Sequence, residues 1–456
     1  MSIKKTLEDY SKSNMYPFHM PGHKRQLDGV YKIDMTEVEG VDDLHDATGI
    51  IAEEQNRMAG IFGADESHIL VGGSTVGNLS AVYASCNEGD YVIIQRNSHK
   101  SIYNAVMLRH LEVDYVEPEI LDNGIFKAVT LNEIKEVVEK VQAMAKRVKA
   151  VVIPSPTYEG YHAPIKEIAD YCHLQNIILI VDQAHGAHLG FNPKFTGSAV
   201  GIADITIQSL HKTLPALTQC AAMHISGEKI NRGRIQAALD IFETSSPSYV
   251  LMNSISQCLD IVEDSSELFN EYVDNLKDFY SICGELRHLQ VICDERDKKD
   301  PGKIVISTEN TNITGVELAR ILREKYMLET ELSSFAYVLA MTSISDTKEG
   351  FQRIKKALLE IDATVEKGKI KVPNLNLSYK KRMNIFEAKA GEETKISLTD
   401  CKGKVSSTMV CLYPPGAPII VPGEEITEEA IEIIKEAMAK GLHVTGIDNK
   451  TIFVVN

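Results

Sequence analysis

The sequence has no apolar run long enough to cross a membrane. Its longest apolar stretches, such as residues 177–181, are far shorter than the roughly 20 residues that a membrane-spanning helix needs. The first twelve residues are polar and alternately charged, and no apolar core of a secretory signal follows them. We therefore expect a cytoplasmic protein that is neither secreted nor anchored in a membrane.

Metal-binding patterns are missing as well. The eight cysteines form no CxxC pair and no zinc-ribbon spacing. In a chain of 456 residues, such scattered cysteines are typical of buried thiols in a reducing compartment. His185 and His188 are close in sequence, but no third ligand lies near them and the HExxH motif is absent. We expect no metal site.

Nucleotide-binding motifs and a basic surface are also absent. The chain contains neither GxGxxG nor the glycine-lysine ending of a P-loop, which disfavours nicotinamide dinucleotides and ATP as cofactors. The formal net charge is −16, whereas binding to nucleic acid needs clustered lysine and arginine. An acidic balance is compatible with a cationic substrate.

Between residues 50 and 240, short β-rich runs alternate with amphipathic helical patterns. Several of these runs are apolar along their whole length, as is typical of strands covered on both faces. The predicted strands are 68–71, 91–95, 113–117, 150–153, 177–181, 204–208 and 221–225. The predicted helices are 75–84, 101–108, 131–147 and 165–174. This rhythm predicts an α/β fold with a doubly wound, mainly parallel sheet.

The pattern changes after residue 246. Residues 249–286 have helical periodicity with few breakers, and shorter elements of both kinds follow. The later predicted strands are 303–307, 337–342 and 408–413, the helices are 315–325, 348–367 and 427–440, and 371–379 and 414–423 are proline-containing connections. We predict an N-terminal arm over 1–45, a major domain over 46–285 and a smaller C-terminal α+β domain over 286–456, in two pieces joined near 371–379.

Three segments follow predicted strands, and ligands of open α/β sheets bind at the carboxyl ends of the strands. In the first segment, 71–78, glycines and hydroxyl residues lead into a helix. Glycines let the backbone approach an anion, and Ser74 or Thr75 can cap the helix while free N–H groups face the ligand. An ordinary strand-to-helix turn with a capping serine is the alternative interpretation.

The second segment ends a buried strand in a carboxylate, Asp182. Burying such a group is costly unless a cation meets it, and the protonated nitrogen of a pyridine ring is one such cation. A helix cap or a salt bridge at the strand end is the alternative. In the third segment, Lys212 follows another apolar strand, where desolvation and a neighbouring cation lower the pKa of a lysine toward nucleophilic competence. Ser209 is placed to bind the phosphate of the same cofactor, and an isolated surface lysine is the alternative.

Five stretches resemble one family of enzymes. They are 17–24 (PFHMPGHK), 97–101 (NSHKS), 182–186 (DQAHG), 209–212 (SLHK), and 413–418 (YPPGAP) together with 422–424 (PGE). Together they span nearly the whole chain, which resembles the ornithine/lysine/arginine decarboxylases among the fold-type-I pyridoxal-phosphate enzymes. The HMPGHK stretch discriminates best, because general aminotransferases lack it.

The resemblance implies an aspartate-aminotransferase-like fold and a role for each matching residue. Lys212 is expected to hold pyridoxal phosphate as a Schiff base, Asp182 to pair with the ring nitrogen, and His99 to stack on the ring. Ser74, Thr75 and Ser209 are expected to hold the phosphate. His185 is expected near the ring or the substrate carboxylate, and His211 to contact the phosphate or assist proton transfer.

The implied reaction is decarboxylation of arginine, lysine or ornithine to an amine of the polyamine pathway. Asp182 and Lys212 taken alone fit an aminotransferase or another amino-acid lyase equally well, and a non-catalytic pyridoxal-phosphate-binding regulator is a further alternative. The family usually has glutamate where this chain has Gln183. We expect the chemistry to survive that change while the local charge shifts.

A basic substrate needs an acidic group at the far end of the pocket. The candidates are Asp42, Asp43, Asp46 and Glu243, each of which is also plausible as a solvated or capping carboxylate. Related enzymes build each active site from two subunits, so a homodimer is the minimum expectation. The chain resembles the shorter biosynthetic members of the family, and the arm residues 15–24 are expected to reach the partner's pocket.

Overall fold

The computed structural model describes residues 2–293, 298–413 and 416–456. The chain forms two compact units. The first comprises Met1–Asn87, Lys149–Ser155 and Pro164–Asn270, and the second comprises Glu88–Val148, Pro156–Ala163 and Glu271–Asn456. The predicted domains are continuous ranges with boundaries at residues 45 and 285, whereas each compact unit is made of several chain segments. The predicted boundaries stay a prediction.

The first 280 residues contain most of the helices. In chain order the elements are α1 (Ile3–Ser11), α2 (Ile50–Phe62), β1 (Glu66–Leu70), α3 (Gly73–Ser85), β2 (Tyr91–Gln95), α4 (Lys100–Leu108), β3 (Glu112–Val116), α5 (Leu131–Ala143), β4 (Val148–Pro154), α6 (Ile165–Leu174), β5 (Ile178–Asp182), β6 (Ile205–Ser209), α7 (Leu210–Thr213), β7 (Ala221–Ile225), α8 (Arg232–Phe242), α9 (Tyr249–Glu263) and α10 (Ser266–Tyr280). Short 3₁₀ turns lie at Gly29–Lys32 and Ser281–Gly284.

Strands β1 to β7 form one sheet in the order β1-β7-β6-β5-β4-β2-β3. The pairs β2–β3, β4–β5 and β5–β6 are parallel, whereas β7 runs antiparallel to both β6 and β1. Every residue of β5, β6 and β7 is buried. The prediction of a mainly parallel sheet is confirmed, and burial along the whole length of these strands fits a sheet covered on both faces.

The remaining elements are β8 (Gln290–Val291), β9 (Lys303–Ser307), α11 (Gly315–Tyr326), β10 (Leu332–Ser333), β11 (Tyr337–Met341), α12 (Lys348–Asp362), α13 (Ile385–Ala390), β12 (Glu393–Ser397), β13 (Val410–Tyr413), β14 (Ala417–Ile420), α14 (Glu428–Ala439), β15 (His443–Thr445) and β16 (Thr451–Val455). They build a four-stranded sheet in the order β10-β11-β9-β8, a three-stranded sheet β14-β13-β15 and the pair β12–β16. Helix α14 packs into a buried cluster that includes Ile431, Ile434, Val410 and Ile452.

Three parts of the chain differ from the sequence-based predictions. The helical region 249–286 is two helices, α9 and α10, which separate at Asp264 and Ser265 although no glycine or proline marks the break. The arm begins with α1, whose Ile3 and Leu7 are buried. In the proline-rich stretch, residues 417–420 form strand β14, and Pro418 is tolerated because β14 is an edge strand. Pro414 and Pro415 lie outside the described residues.

The state of the cysteines, the length and apolar character of the helices and the grouping of metal-ligand side chains bear on the function. All eight cysteines lie in the described ranges, each is free, and six are buried. Within those ranges, no helix has both the length and the apolar character needed to cross a bilayer. No group of three or more His, Cys, Asp or Glu side chains in the same ranges is arranged to hold a metal ion.

Candidate active site

The ends of β1, β5 and β6 in the first unit bring most of the predicted site residues together. Ser209 is the last residue of β6, and Ser74 lies in the first turn of α3, which follows β1. Their hydroxyl oxygens are 2.9 Å apart. The prediction that Ser74 or Thr75 caps α3 is wrong, because Gly72 occupies the N-cap position. Ser74 is half-buried and directed at Ser209, whereas Thr75 is exposed.

Helix α3 lies unusually close to the sheet at Gly77. A Cβ atom on this residue would lie 2.7 Å from Cγ2 of Ile207 in β6 and 2.8 Å from Cδ1 of Leu70 in β1. Only glycine fits such a close approach. The next residue along α3, Asn78, is thereby brought within reach of the end of β5.

Asp182 at the end of β5 is a buried carboxylate held by neutral groups. Its side chain is 6% exposed. The Asn78 amide donates a 2.8 Å hydrogen bond to Oδ2, and the Ala184 N–H donates one of 3.1 Å to Oδ1. Within the described part of the chain, no lysine, arginine or histidine forms an ion pair with it. Since a buried charge is costly without an opposite charge, this carboxylate is suited to a cationic ligand atom.

Gln183, where the family usually has glutamate, is the centre of a buried hydrogen-bond network. Its Nε2 donates to the carbonyl oxygens of Ser155 and Gly197, each at 3.0 Å. Its Oε1 accepts from the Ala199 N–H at 3.1 Å and from the Gln208 amide at 2.9 Å. A carboxylate lacks the two N–H donors that the carbonyls need. The neutral amide therefore has a role in fixing the loop that follows Asp182.

Lys212 lies in α7, a single helical turn that directly follows β6. Its Nζ is 3.0 Å from Nε2 of His185, a hydrogen-bonding distance. His185 is buried and follows Asp182 by three residues, so the end of β5 delivers both the carboxylate and the neighbour of the lysine amine. A basic neighbour of this kind can accept a proton from the ammonium and leave a nucleophilic amine.

His211 is directed at the backbone. Its Nδ1 donates to the carbonyl oxygen of Cys220 at 2.9 Å. Burial lowers the pKa of the ring, the bond to Cys220 raises it, and the charge of Lys212 lowers it, with a net downward shift. The ring is therefore neutral at pH 7 with its Nδ1 proton in use, and Nε2 is the nitrogen that remains for a ligand.

His99 belongs to the second unit, where it caps α4. Its Nδ1 accepts the Ser101 N–H at 3.3 Å and lies 2.8 Å from the Ser101 hydroxyl oxygen. Because Nδ1 accepts from a backbone amide, the ring proton is on Nε2. The role of His99 at the cofactor ring stays a prediction from the family resemblance.

The four carboxylates predicted to bind a distal cation differ in their surroundings. Asp42 accepts the backbone N–H groups of Thr48, Gly49 and Ile51 at 2.9–3.1 Å. Burial raises its pKa, but these hydrogen bonds outweigh that effect and lower it. Asp42 therefore binds the backbone at the start of α2, and a role of its carboxylate at the substrate stays a prediction. Asp43 accepts the His45 N–H at 2.9 Å, and Asp46 is exposed.

Glu243 is the buried member of this group. It is 8% exposed, and burial raises its pKa to about 7. A Cβ atom on Gly72 would lie 3.0 Å from Oε1 of Glu243, so this carboxyl group sits against the turn that precedes Ser74.

Sequence reasoning gave no role to Asn78 or Gln208. A usable signal existed for Asn78, because residues four apart lie on the same face of a helix and Ser74 had already been placed at the ligand. Gln208 carried no such signal. Its contact with Gln183 depends on the pairing of β5 with β6.

Comparison with known proteins gives a consistent result. Residues 2–292 match the family model described as Orn/Lys/Arg decarboxylase, major domain, and residues 370–447 match the model of its C-terminal domain. An arginine decarboxylase of Bacillus subtilis is 30% identical over 98% of this chain and 96% of its own length. One from Halalkalibacterium halodurans is 30% identical over 97% and 94%. The crystal structure of a Francisella novicida lysine decarboxylase has the same fold, with a TM-score of 0.87 at 20% identity over 100% of this chain and 81% of that one.

Proposed function

This chain belongs to the Orn/Lys/Arg decarboxylase family, and we propose that the amino acid it decarboxylates is arginine, at a site built on Lys212 and Asp182. Family membership makes it a decarboxylase of a basic amino acid that depends on pyridoxal phosphate. The choice of arginine is supported by the full-length relatives in Bacillus and Halalkalibacterium, which are named arginine decarboxylases.

The residues at the sheet end fit the cofactor. The first turn of α3 with the Ser74 and Ser209 hydroxyl groups would hold the phosphate, and the Lys212 amine would hold the carbonyl carbon. The observation that carries the assignment is Asp182, a buried carboxylate whose hydrogen-bond donors among the described residues are neutral, and which would meet the protonated ring nitrogen. When bound, pyridoxal phosphate accepts the electron pair left on Cα as CO2 departs.

The chain's own groups would then have four roles. Asp182 keeps a proton on the ring nitrogen, while Asn78 and the Ala184 N–H hold its carboxylate in one orientation. His185 exchanges a proton with the Lys212 amine across 3.0 Å. Lys212 delivers that proton to Cα after the carboxylate has left, and His211, with its Nδ1 in use by Cys220, contacts the phosphate through Nε2.

For the distal cation of the substrate we retain Glu243. Its carboxyl group is buried and lies against the Gly72 turn, and burial raises its pKa although the charge of His45 acts in the opposite direction. A guanidinium ion would favour the charged form further, in bidentate geometry. Asp43 and Asp46 stay as predicted alternatives.

We further propose that the active enzyme is a homodimer with shared active sites. Residues 15–24 of the arm carry four large apolar side chains that are exposed in the single chain, namely Met15, Tyr16, Phe18 and Met20. Phe18 is 92% exposed, which is costly for an aromatic ring in water. A second copy of the chain is the partner proposed to cover them.

A cytoplasmic location completes the proposal. It is supported by the eight free cysteines, most of them buried, since exported proteins of oxidising compartments tend to pair theirs.

A product assay tests the reaction and the substrate together. The cofactor-loaded enzyme is incubated separately with arginine, lysine and ornithine, and CO2 and amines are measured. We expect CO2 and agmatine from arginine at the highest kcat/KM. Cadaverine or putrescine as the preferred product would contradict arginine as substrate, and a keto acid without CO2 would indicate an aminotransferase. Light scattering at the assay concentration tests the dimer.

A further inference from the structure

A buried ion pair in the second unit joins two parts of the chain that are 328 residues apart. Arg96 directly follows β2, and its Nη1 and Nη2 donate to Oε1 and Oε2 of Glu424 at 2.5 and 2.8 Å. The two side chains are 4% and 3% exposed. Glu424 ends the Pro-Gly-Glu stretch 422–424, whose function the decarboxylation chemistry leaves unexplained.

The Arg96 guanidinium is also held between two aromatic rings. Its central carbon lies 3.5 Å from the ring centroid of Tyr379 and 4.7 Å from that of Tyr115. Burial opposes its charge, but Glu424 outweighs this effect and raises the pKa of Arg96 above its usual value. The guanidinium is therefore a fixed charge, held at Nη1 and Nη2 by Glu424 and on its faces by the two rings.

The backbone of Arg96 belongs to the turn that carries His99. Its N–H donates to the Val116 carbonyl at 2.8 Å, and its carbonyl oxygen accepts the Tyr103 hydroxyl. The Ser98 N–H closes the turn on Gln95 at 3.0 Å, and His99 then starts α4. Arg96 lies three positions before His99 in this turn. A displacement of the Arg96 side chain would therefore shift the backbone that leads to His99.

The Glu424 side of the pair is equally constrained. Gly423 has φ +91°, and a Cβ there would lie 2.4 Å from the Met383 carbonyl oxygen. Its N–H donates to the Ser406 carbonyl at 2.8 Å, and the Val421 N–H donates to Oε2 of Glu424 at 2.8 Å. The Pro-Gly-Glu turn thus presents one carboxylate in one orientation.

We propose that Glu424 is a positioning residue of the active site, which acts through Arg96 to fix the turn that places His99. The proposal rests on the proposed function and on the role that the family resemblance predicts for His99 at the cofactor ring. Stability alone gives little reason for such a pair, because well-packed apolar residues of similar volume are often as stabilising as a buried ion pair. An apolar pair cannot supply the directional, bidentate hydrogen bonds that fix the position of the Arg96 turn.

The test compares Glu424→Gln with a matched control, Asp362→Asn, in the cofactor-loaded enzyme. Asp362 is also a buried carboxylate of the second unit, and it accepts the backbone N–H groups of Arg287, His288 and Leu289 at 2.7–2.9 Å. Both variants should lower the melting temperature. Only Glu424→Gln should alter the visible circular dichroism of the bound cofactor and lower kcat, by up to about 100-fold as for other displaced groups, with KM little changed.

A double-mutant cycle assigns the effect to His99. If Glu424 acts through the His99 turn, Glu424→Gln should cost far less in kcat on a His99→Ala background than in the wild type. Equal costs on both backgrounds, or an unchanged dichroism spectrum with a melting shift like that of Asp362→Asn, would overturn the proposal. If Glu424→Gln fails to fold, Arg96→Lys replaces it in the test. This variant keeps the positive charge but loses the bidentate hydrogen bonds, and we expect the same spectral change. A wild-type enzyme without a cofactor band or product would instead refute the proposed function.

Discussion

Asp182 in the first unit and Glu424 in the second are both buried carboxylates, but their surroundings differ in kind. Asp182 accepts hydrogen bonds from an amide side chain and a backbone N–H, both neutral. Glu424 faces a guanidinium in bidentate contact, so its charge is already balanced within the chain. One carboxylate is prepared for a charge that arrives with a ligand, and the other is complete without one.

This difference in surroundings distinguishes a carboxylate suited to binding a ligand from one suited to positioning other residues. A buried charge with neutral partners is unstable in isolation and gains free energy when a cation binds, which makes it suitable for holding a cofactor. A fully paired charge gains nothing from a ligand, and its value lies in the geometry that it imposes. The comparison predicts opposite responses when each carboxylate is neutralised.

The largest effect is expected at Lys212, whose amine would hold the cofactor that Asp182 meets at its ring nitrogen. Lys212→Ala should abolish both product formation and the absorbance of the lysine-bound cofactor at roughly 400 nm, a property of the cofactor's own chemistry. Exposed Lys194 in the same unit provides the control, and Lys194→Ala should leave the spectrum and the rate unchanged. Normal turnover by Lys212→Ala would remove the basis of the proposed site.

The comparison is tested directly by Asp182→Asn and Glu424→Gln, each measured without cofactor. Asp182→Asn removes an unbalanced charge, so the free energy of unfolding should stay within about 1 kcal/mol or rise. Glu424→Gln leaves the Arg96 charge unpaired and should cost about 3–5 kcal/mol. Turnover should collapse and cofactor affinity fall in Asp182→Asn, and also in Asp182→Ala. If chemical denaturation gives equal stability losses for Asp182→Asn and Glu424→Gln, the comparison is wrong.

Gln183→Glu tests whether the neutral amide beside Asp182 is required. The change removes the donors to the Ser155 and Gly197 carbonyls, at about 1–3 kcal/mol for each buried group left unsatisfied. The new carboxyl group can donate only when protonated, so the loss should grow as the pH rises. Thermal unfolding between pH 5 and pH 8 measures it. Gln257→Glu, at an exposed position of α9, should show no such trend.

The smallest effect concerns Glu243. Burial raises its pKa from 4.5 to about 7, so its protonated form is favoured in the folded state. The stabilising contribution is complete below pH 4.5 and is lost as the pH rises through 7, on the order of 2–3 kcal/mol. Compared with Glu243→Gln, the wild-type enzyme without ligand should therefore lose stability between pH 5 and pH 8. Exposed Glu267→Gln should behave like the wild type, and identical pH profiles for Glu243→Gln and the wild type would contradict the assignment.

The central sheet was predictable because its signals are local. Strands β2 and β7 begin and end at the predicted residues, since fully buried strands are short apolar runs between clear breakers. The separation of α9 from α10 was not predictable, because Asp264 and Ser265 are ordinary helix residues in sequence and neither glycine nor proline marks the break. Strand β15 has three residues, and β12 is largely exposed, so neither carries a clear apolar signal.

The site was predictable where a residue follows a strand directly, as Asp182 and Ser209 do. The N-cap of α3 was assigned to Ser74 or Thr75 but is Gly72. Glycine and serine are both acceptable N-cap residues, so only the backbone geometry shows which of them begins the helix. The Gln183 network and the Arg96–Glu424 pair could not be found from sequence, since each depends on partners brought together by tertiary structure.

The separation between Arg96 and Glu424 has a consequence for biosynthesis. A ribosome must add more than three hundred residues after Arg96 before its partner carboxylate exists. Until then, a nascent chain that has already formed β2 and α4 would hold the guanidinium without its counter-ion. We therefore expect the His99 turn to be among the last parts of the molecule to reach its final geometry, and a polypeptide terminated shortly before residue 424 to fold its first unit but to lack an ordered turn at His99.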